Sequence, residues 1–431
     1  MEYSVYILIV SFILLLCINV PIAVCIAVST LLTMLCTVAP APAVTTVAQQ
    51  MATGIQSFSL LAIPFFILSG LLMGRGGIAR RLIEFAKVLV GMFPGGLAYV
   101  NVLACMFFGA ISGSSVAATS AVGGFILPVM EKEGYDKNFN AALTVTASTT
   151  GLLIPPSNIL IVYSLASGGV SIAALFIAGY LPGILVGFAL MVVAAIYSVV
   201  KKYPVGERVA FADALKKTLQ AVPSLLLVVI VIGGIIAGIF TATEASAVAV
   251  VYSLFLAVVL YREIRIRELP EILLKAVEIT AIVMLLIGAS KGMSWILSYE
   301  NIPQWISESL IGLTHSKVMI LMIINIILLA VGTFMDMTPA VLIFTPIFLP
   351  VVTQLGIDPI HFGMIMVLNL CIGLCTPPVG SVLFVGCGIA NTTITNLIRP
   401  LLSLYVAMIV ALVLVTYIPE ISMFLPRLFG Y

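Results

Sequence analysis

Two proline pairs, each inside a long apolar stretch, constrain this chain more than any other feature. They occur in GLLIPPSN, residues 151–158, and in GLCTPPVG, residues 373–380. Proline lacks a backbone donor and clashes with the preceding helical turn, so each pair predicts a break in a helix. In hydrocarbon, freed backbone groups are tolerated where they line a polar cavity. We therefore predict that both breaks contribute to one internal site.

The surrounding composition places these breaks in a membrane. Hydrophobic residues make up 62% of the 431 residues and charged residues 8%, and the mean hydropathy is +1.28. These values lie well outside the range of soluble domains. No hydrophilic block is long enough for a separate extramembrane domain. The sequence therefore predicts a polytopic all-α membrane protein.

The distribution of positive charge predicts its orientation. Of the 19 Lys and Arg residues, 15 lie in four clusters, at 75–87, 132–137, 201–217 and 262–275. The positive-inside rule assigns these clusters to the cytoplasm. Counting spans outward from them places the N- and C-termini on the outer side of the membrane. Because they combine apolar and charged faces, three stretches are predicted to lie flat at the cytoplasmic interface: 78–92, 207–222 and 264–279.

Two segments are predicted to be helical hairpins. Residues 95–130 lie between cytoplasmic clusters, and a single span there would end on the wrong side. A re-entrant hairpin with its tip at Ser112–Ser115 removes the conflict. The second hairpin covers 317–352, with its tip in Gly332–Ala340. Each hairpin precedes a broken helix, over 136–167 and 358–390 respectively.

This hairpin-plus-broken-helix unit occurs twice. The matching positions, 222 residues apart, are Pro128 and Pro350, Gly134 and Gly356, Asp136 and Asp358, Gly151 and Gly373, and both proline pairs. Five predicted spans separate the copies, which inverts the second copy, a layout typical of secondary transporters. We divide the chain into N-terminal scaffold helices with an interfacial arm (1–93), a first transport unit (94–200), central scaffold helices (201–316) and a second transport unit (317–431).

The broken ends supply oxygen ligands. Thr338 before Pro339 and Thr376 before Pro377 fit helix N-caps followed by proline, and Ser114 or Ser115 can cap the helix after the first tip. Carbonyl and hydroxyl oxygens together suit sodium better than a transition metal. The first predicted cation site comprises Ser112, Gly113, Ser114, Ser115, Pro155 and Ser157. The second comprises Thr333, Asp336, Thr338, Gly373 and Thr376.

A substrate is predicted to lie between the two cation sites. Its candidate contacts are Ser115, Pro156, Asn158, Thr338, Pro378 and Gly380. Asp336 is the one acid near the depth of a tip, and it can ligate a cation, carry a proton or simply cap the hairpin. Lys291 and Arg399 are candidates to neutralise an anionic substrate or to form structural ion pairs. The role of Glu244, in a predicted outer turn, stays open.

One motif points to an enzyme instead. GASKG, residues 288–292, fits the GxSxG nucleophile pattern. However, both histidines, His315 and His361, are predicted near the outer membrane edge, and Lys291 directly follows the serine. We therefore expect no enzymatic activity.

The combined motifs resemble a known family. FGAISGSSVAATSAVG is followed by P.M...GYD and LLIPPSN, and later by D.TPA, GIDP.HFG and CTPPVG. Together they resemble the large membrane subunit, the DctM-like subunit, of tripartite ATP-independent periplasmic (TRAP) transporters. The likeness covers essentially the whole chain and is nearest to the sialic-acid type.

This resemblance implies a mechanism and partners. It implies a bacterial inner-membrane subunit that works with a small four-helix membrane subunit and a periplasmic substrate-binding protein. Such systems import carboxylates, such as sialic acid (N-acetylneuraminate) or C4-dicarboxylates, on a sodium gradient by an elevator movement of the hairpin-bearing part. Carried over here, the ion-site positions are 112–115 with 155–158, and 332–338 with 376–380. The alternative is a stand-alone sodium-coupled dicarboxylate or citrate carrier of similar architecture.

Overall fold

The computed structural model describes residues 2–206, 210–314 and 316–431 and is helical throughout. In the first half the helices are α1 (Glu2–Cys17), α2 (Ile22–Thr37), α3 (Pro40–Gly54), α4 (Ala62–Arg75), α5 (Ile78–Val90), α6 (Gly96–Ser112), α7 (Ser115–Lys132), α8 (Lys137–Ser148), α9 (Thr150–Leu153), α10 (Asn158–Ala166) and α11 (Ile172–Lys201). In the second half they are α12 (Phe211–Ile236), α13 (Ala242–Leu254), α14 (Leu269–Tyr299), α15 (Ile302–Leu313), α16 (Lys317–Phe334), α17 (Met337–Gln354), α18 (Pro359–Leu374), α19 (Ser381–Ala390), α20 (Ile394–Tyr417) and α21 (Glu420–Leu428).

Many of these helices are long and apolar enough to cross a membrane. Within the described residues, 8 meet that test alone, and α8 to α10 can form a further span bent by 52° at the first proline pair. Several shorter apolar helices, including α18 and α19 on either side of the second pair, accompany them. This agrees with the predicted polytopic membrane protein.

The repeat predicted from a few matched residues extends through the helices. The helix after each hairpin tip begins at Ser115 and at Met337, which are 222 residues apart. The same interval separates the starts of α8 and α18, and of α11 and α20. Helices therefore lie on either side of both predicted tips and both proline pairs, as predicted, and the re-entrant course of the hairpins stays a prediction.

The two copies pack against each other reciprocally. α10, after the first break, packs on α17 of the second hairpin, and α19, after the second break, packs on α7 of the first. The Cys371 thiol lies 3.4 Å from the carbonyl oxygen of Thr149, and these two positions are themselves 222 residues apart. Exchanged contacts between equivalent positions are the pattern of an approximate two-fold relation. The two breaks are consequently brought to the same region.

Two of the three flat interfacial helices were wrongly predicted. Over 264–279, the structure has a 3-10 turn that leads into α14, one continuous helix through Tyr299. Over 207–222, the described residues from Phe211 onward belong to α12, while 207–209 lie outside the described residues. Charged residues at one end of a helix change its polarity but break no backbone hydrogen bond, so the helix continues. The third, α5, is a separate helix as predicted.

Three helices were not predicted at all. α3, PAPAVTTVAQQMATG, has the composition of a linker, yet it packs against α2 and α14. α15 packs on α17, and α21 packs on α11. Tertiary packing stabilises such short helices where their own propensity does not.

Ion pairs connect α5 to its neighbours. A carboxylate oxygen of Glu84 lies 2.8 Å from the ammonium nitrogen of Lys217 in α12, and the other lies 3.3 Å from that of Lys87. Partial burial alone would raise the pKa of Glu84, but the hydrogen bond from Lys217 and the two positive charges outweigh it and hold that pKa below its ordinary value. The Arg81 guanidinium lies 3.7 Å from the ring centre of Tyr261. These contacts connect α5, the helix before the first hairpin, to α12 and to the segment that follows α13.

Matching aspartates cap the first halves of both broken helices. Asp136 accepts from the backbone N–H groups of Asn138 and Phe139 at 2.9 and 3.0 Å, and Asp358 accepts from Ile360 at 2.7 Å. Losing such a cap costs about 1 kcal/mol. We expect Asp136→Ala to lower the thermal unfolding midpoint, and Asp136→Ser to retain most of it. Equal midpoints for the alanine and serine variants would contradict this role.

Candidate functional site

The first hairpin tip is a tight turn shaped by glycine and serine. α6 ends at Ser112, and Gly113 follows with φ +60°, a left-handed conformation that glycine adopts without strain. Ser114 then caps α7, its hydroxyl accepting from the N–H of Ala117 at 3.3 Å. The predicted cap at this tip is therefore confirmed.

This tip lies directly on the first break. A Cβ at Gly113 would sit 3.3 Å from the carbonyl oxygen of Pro156 and 3.4 Å from the backbone nitrogen of Asn158. The break itself is buried, and Ser157 donates to the carbonyl of Leu152 at 2.6 Å. The first predicted cation site thus brings its tip and its break into contact.

The second tip meets the second break in an equivalent way. The N–H of Val379 donates to the carbonyl of Thr333 at 3.2 Å. Asp336 occupies the N-cap position of α17, but its carboxylate makes no cap hydrogen bond and is reached by the Ser381 hydroxyl at 3.5 Å. Within the described part of the chain, Ser381 is thus the side-chain partner of this carboxylate, at a long distance.

Two predicted threonine caps were wrong. α17 already begins at Met337, so Thr338 lies inside the helix. Thr376 ends the preceding segment, where its hydroxyl donates to the carbonyl of Ile372 at 2.7 Å, and α19 begins only at Ser381. A threonine hydroxyl readily bonds the carbonyl four residues before it, which competes with capping the next helix. Both proline pairs contain a cis peptide bond.

Glycine pairs let each hairpin approach its broken helix. A Cβ on Gly109 would be 2.6 Å from the Cα of Gly151, and a Cβ on Gly373 would be 2.5 Å from the Cα of Gly332. No side chain fits at either crossing. Close packing of two backbones therefore explains why glycine occupies both matched positions, Gly151 and Gly373.

Both tips and both breaks border one cavity of about 460 Å³. It is also bordered by α4 and by one face of α14. The predicted residues that line it are Ser112, Gly113, Ser114, Ser115, Asn158, Asp336 and Thr338. The other predicted residues belong to the same tips and breaks but do not line it: Pro155, Pro156, Ser157, Thr333, Gly373, Thr376, Pro378 and Gly380.

The two halves of the site differ in exposure. The first break is buried from Leu152 to Ser157, whereas Pro378 and Val379 of the second break are exposed. At the matching positions, 222 residues further along the sequence, Val379 and Gly380 replace Ser157 and Asn158. The two halves therefore offer different ligands.

The donor set fits a hard cation. The side-chain oxygen of Asn158 is buried and has no hydrogen-bond partner among the described residues. The side-chain nitrogen of the same amide lies beside the first tip, 3.5 Å from a Cβ added at Gly113. The second tip adds the Asp336 carboxylate. Hydroxyl, carbonyl and carboxylate oxygens are the ligands that small hard cations prefer. In the described part of the chain no cluster of His, Cys, Asp and Glu forms a transition-metal site.

Three charged candidates lie away from this cavity. Lys291 and Glu244 border a different cavity of about 810 Å³, and Arg399 borders one of about 430 Å³ together with Lys201. Sequence reasoning instead missed Lys275, which does line the central cavity, and Ser381, which contacts Asp336. At the 222-residue interval Ser381 matches Ile159, so the repeat carried no signal that could have identified this serine.

The GASKG serine is not arranged as a nucleophile with His361. The Ser290 hydroxyl is buried and has no hydrogen-bond partner among the described residues. His361 bonds Ser422 at 2.6 Å and lies 3.4 Å from the carbonyl of Thr416. His315 lies outside the described residues.

Comparison with known families identifies the architecture. The model of the DctM component of the tripartite ATP-independent periplasmic transporter matches residues 9–421. The chain belongs to this family. It is a large permease subunit, in a family whose large permeases work with a small membrane subunit and a periplasmic binding protein.

Relatives of this TRAP permease align along most of its length. It is 53% identical to the uncharacterized protein YgiK of Salmonella typhimurium over 99% of this chain and 98% of that protein. It is 46% identical to a C4-dicarboxylate TRAP transporter large permease of Pseudomonas aeruginosa, over 87% and 88% of the two chains. It is 39% identical to a sialic acid TRAP transporter large permease of Vibrio cholerae, over 89% and 90%.

Solved structures share the fold of this TRAP permease at low identity. The Alcanivorax borkumensis YdaH transporter aligns with a TM-score of 0.54 at 15% identity, over 88% of this chain and 89% of that one. Neisseria gonorrhoeae MtrF aligns with a TM-score of 0.51 at 12% identity, over 87% and 85%. These likenesses support the polytopic transporter fold alone.

Proposed function

We propose that this chain is the transport subunit of a sodium-coupled TRAP importer for an organic acid in a bacterial inner membrane. The observation that supports this most is the shared cavity, where both hairpin tips and both broken helices meet. Freed backbone groups and hydroxyls supply polarity in an otherwise apolar molecule. A small solute can bind there without entering lipid.

Sodium is proposed as the coupling ion. One ion would be held by the first tip and Asn158, and another by the second tip with Asp336. The buried, unpartnered oxygen of Asn158 and the carboxylate of Asp336 support these two positions. Because the two sets of ligands differ, we expect the two ions to bind with unequal affinity.

An elevator movement is proposed for the two hairpin-bearing units, with α1–α5 and α12–α15 as the scaffold. Reciprocal packing of α10 on α17 and of α19 on α7 supports joint movement of the units. Both chain ends are proposed to be periplasmic. A small four-helix membrane subunit and a periplasmic binding protein would complete the transporter.

The substrate is proposed to carry a carboxylate. Sialic acid follows from the motif likeness, while the relatives include permeases named for C4-dicarboxylates, sialic acid and 2,3-diketo-L-gulonate. The higher identity to a C4-dicarboxylate permease favours a dicarboxylate as the second candidate. Succinate and N-acetylneuraminate are therefore the two probes to compare.

Reconstitution tests this function. We expect proteoliposomes containing the chain and its small subunit to accumulate one labelled probe only with an inward sodium gradient and added binding protein. A stand-alone carrier would transport without the binding protein. A control with potassium in place of sodium separates ion coupling from leakage.

Each alternative outcome would overturn a different part of the proposal. Accumulation that persists without sodium would remove the coupling ion, and accumulation without the binding protein would favour the stand-alone carrier. Transport of neither probe would leave the family membership but remove the proposed substrate class.

A further inference from the structure

The central cavity has a charged wall outside the two repeated units. Lys275, Ile279 and Val283, spaced four residues apart, place one face of α14 against the cavity. α14 also packs on α4 and on α17 of the second hairpin. Of the residues described as lining the cavity, Lys275 and Asp336 are the charged ones.

The present partner of Lys275 is easily replaced. Its ammonium group lies 2.9 Å from a carboxylate oxygen of Glu278, three residues along the same helix. The two side chains are 53% and 58% exposed. Exposed pairs of this kind contribute only a few tenths of a kcal/mol. A carboxylate arriving in the cavity can therefore replace Glu278 with little loss of stability.

A cation on the cavity wall would attract an organic acid. The sodium ion proposed at Asp336 would only compensate that carboxyl group, so a further positive charge in the cavity is needed to attract the carboxylate of the substrate. The other basic candidates cannot supply that charge, because Lys291 and Arg399 border different cavities. Lys291 is 16 residues further along α14, which rotates it about 160° around the helix axis.

We propose that Lys275 binds the substrate carboxylate from α14, exchanging Glu278 for the substrate. This assignment rests on the proposed function as an organic-acid permease. It adds a specificity contact from a helix outside both hairpin-and-broken-helix units. Lys275 would select anionic substrates, while the tips and breaks bind the rest of the molecule and the cations.

The test uses the reconstituted complex with its small subunit and binding protein. Proteoliposomes are loaded with unlabelled succinate or N-acetylneuraminate, whichever the wild type transports, and exchange against the labelled compound is measured. We expect Lys275→Gln to raise the half-saturating concentration about 10- to 100-fold, the effect of losing a charged hydrogen bond. Lys275→Arg should restore most of the affinity.

Glu278→Gln separates substrate binding from a structural ion pair. If Lys275 binds substrate, freeing it from Glu278 should leave the half-saturating concentration unchanged or lower it. If the pair itself matters, Glu278→Gln should raise that concentration as Lys275→Gln does, which would overturn the assignment. Arg267→Gln, which removes a positive charge from the turn before α14 but not from the cavity, is the matched control and should behave as wild type.

The failures are distinguishable. Exchange by the wild type with unchanged affinity in Lys275→Gln would overturn the Lys275 assignment alone. Exchange of neither compound by the wild type would overturn the proposed function, and the assignment with it. Thermal unfolding midpoints should match among all variants, because the exposed pair contributes little to stability.

Discussion

Asp336→Asn is expected to reduce sodium-driven uptake about 10- to 100-fold while the protein stays folded. Asparagine keeps the size of the side chain but removes the charge at the second hairpin tip. The carboxylate makes no cap hydrogen bond and contacts Ser381 only at 3.5 Å, so little folding energy depends on it. The charge is therefore available to a coupling cation.

The decisive measurement is the sodium dependence of the initial uptake rate. A cation ligand should raise the half-saturating sodium concentration in Asp336→Asn, while the thermal midpoint changes little. Ser381→Ala, which removes the weak partner but no charge, should have a several-fold smaller effect. Glu420→Gln, an acid on α21 outside the cavity, is the control. Unchanged uptake with unchanged sodium dependence would remove Asp336 from the mechanism.

Gly151→Val is expected to destabilise the protein severely and abolish uptake. At Gly109, an added Cβ would be 2.6 Å from the Cα of Gly151, so the two backbones are already at the closest approach that glycine allows. A valine must push α6 away from the break and disturb the tip that contacts it. Overpacking of this kind costs about 1–3 kcal/mol or more.

The matched pair at the second break gives an independent test. Gly373→Val should have a similar effect, because a Cβ there would be 2.5 Å from the Cα of Gly332. Gly124→Val, at a helical glycine of α7 with nothing within 4 Å of its Cβ, controls for replacing glycine in a helix. Thermal midpoints and the yield of monodisperse protein report the outcome. If all three variants unfolded alike, close packing at the breaks would not be the cause.

The breaks and hairpins were predictable because their causes are local. Each proline pair interrupts its own helix whatever packs around it. Ser114 caps α7 because its hydroxyl reaches a backbone group three residues away. The repeat was also readable, since equivalent prolines and glycines recur at a constant interval.

The errors arose where local chemistry allowed two outcomes. The charged start of α14 looked like a separate interfacial helix, yet its backbone hydrogen bonds run on into the apolar part. Thr376 looked like a cap for the next helix but bonds backward instead. α3 has too little apolar character to be predicted, and packing on α2 and α14 makes it a helix.

The place of Lys275 on the cavity wall could likewise not be predicted from the sequence. Sequence alone offered Lys291 and Arg399 as partners for an anionic substrate, because hydropathy gives membrane depth but not which cavity a side chain enters. That depends on how α14 is rotated against α4 and α17, and only the packing determines it.

The sequence by itself determined the membrane class, the family, both helix breaks and both hairpins, because hydropathy and proline act through neighbouring residues. Only the tertiary structure decided that the breaks share a cavity, which oxygen atoms are left without partners, and which basic side chain lies on the cavity wall. Those facts depend on contacts between helices far apart in the chain. No local rule of sequence specifies such contacts.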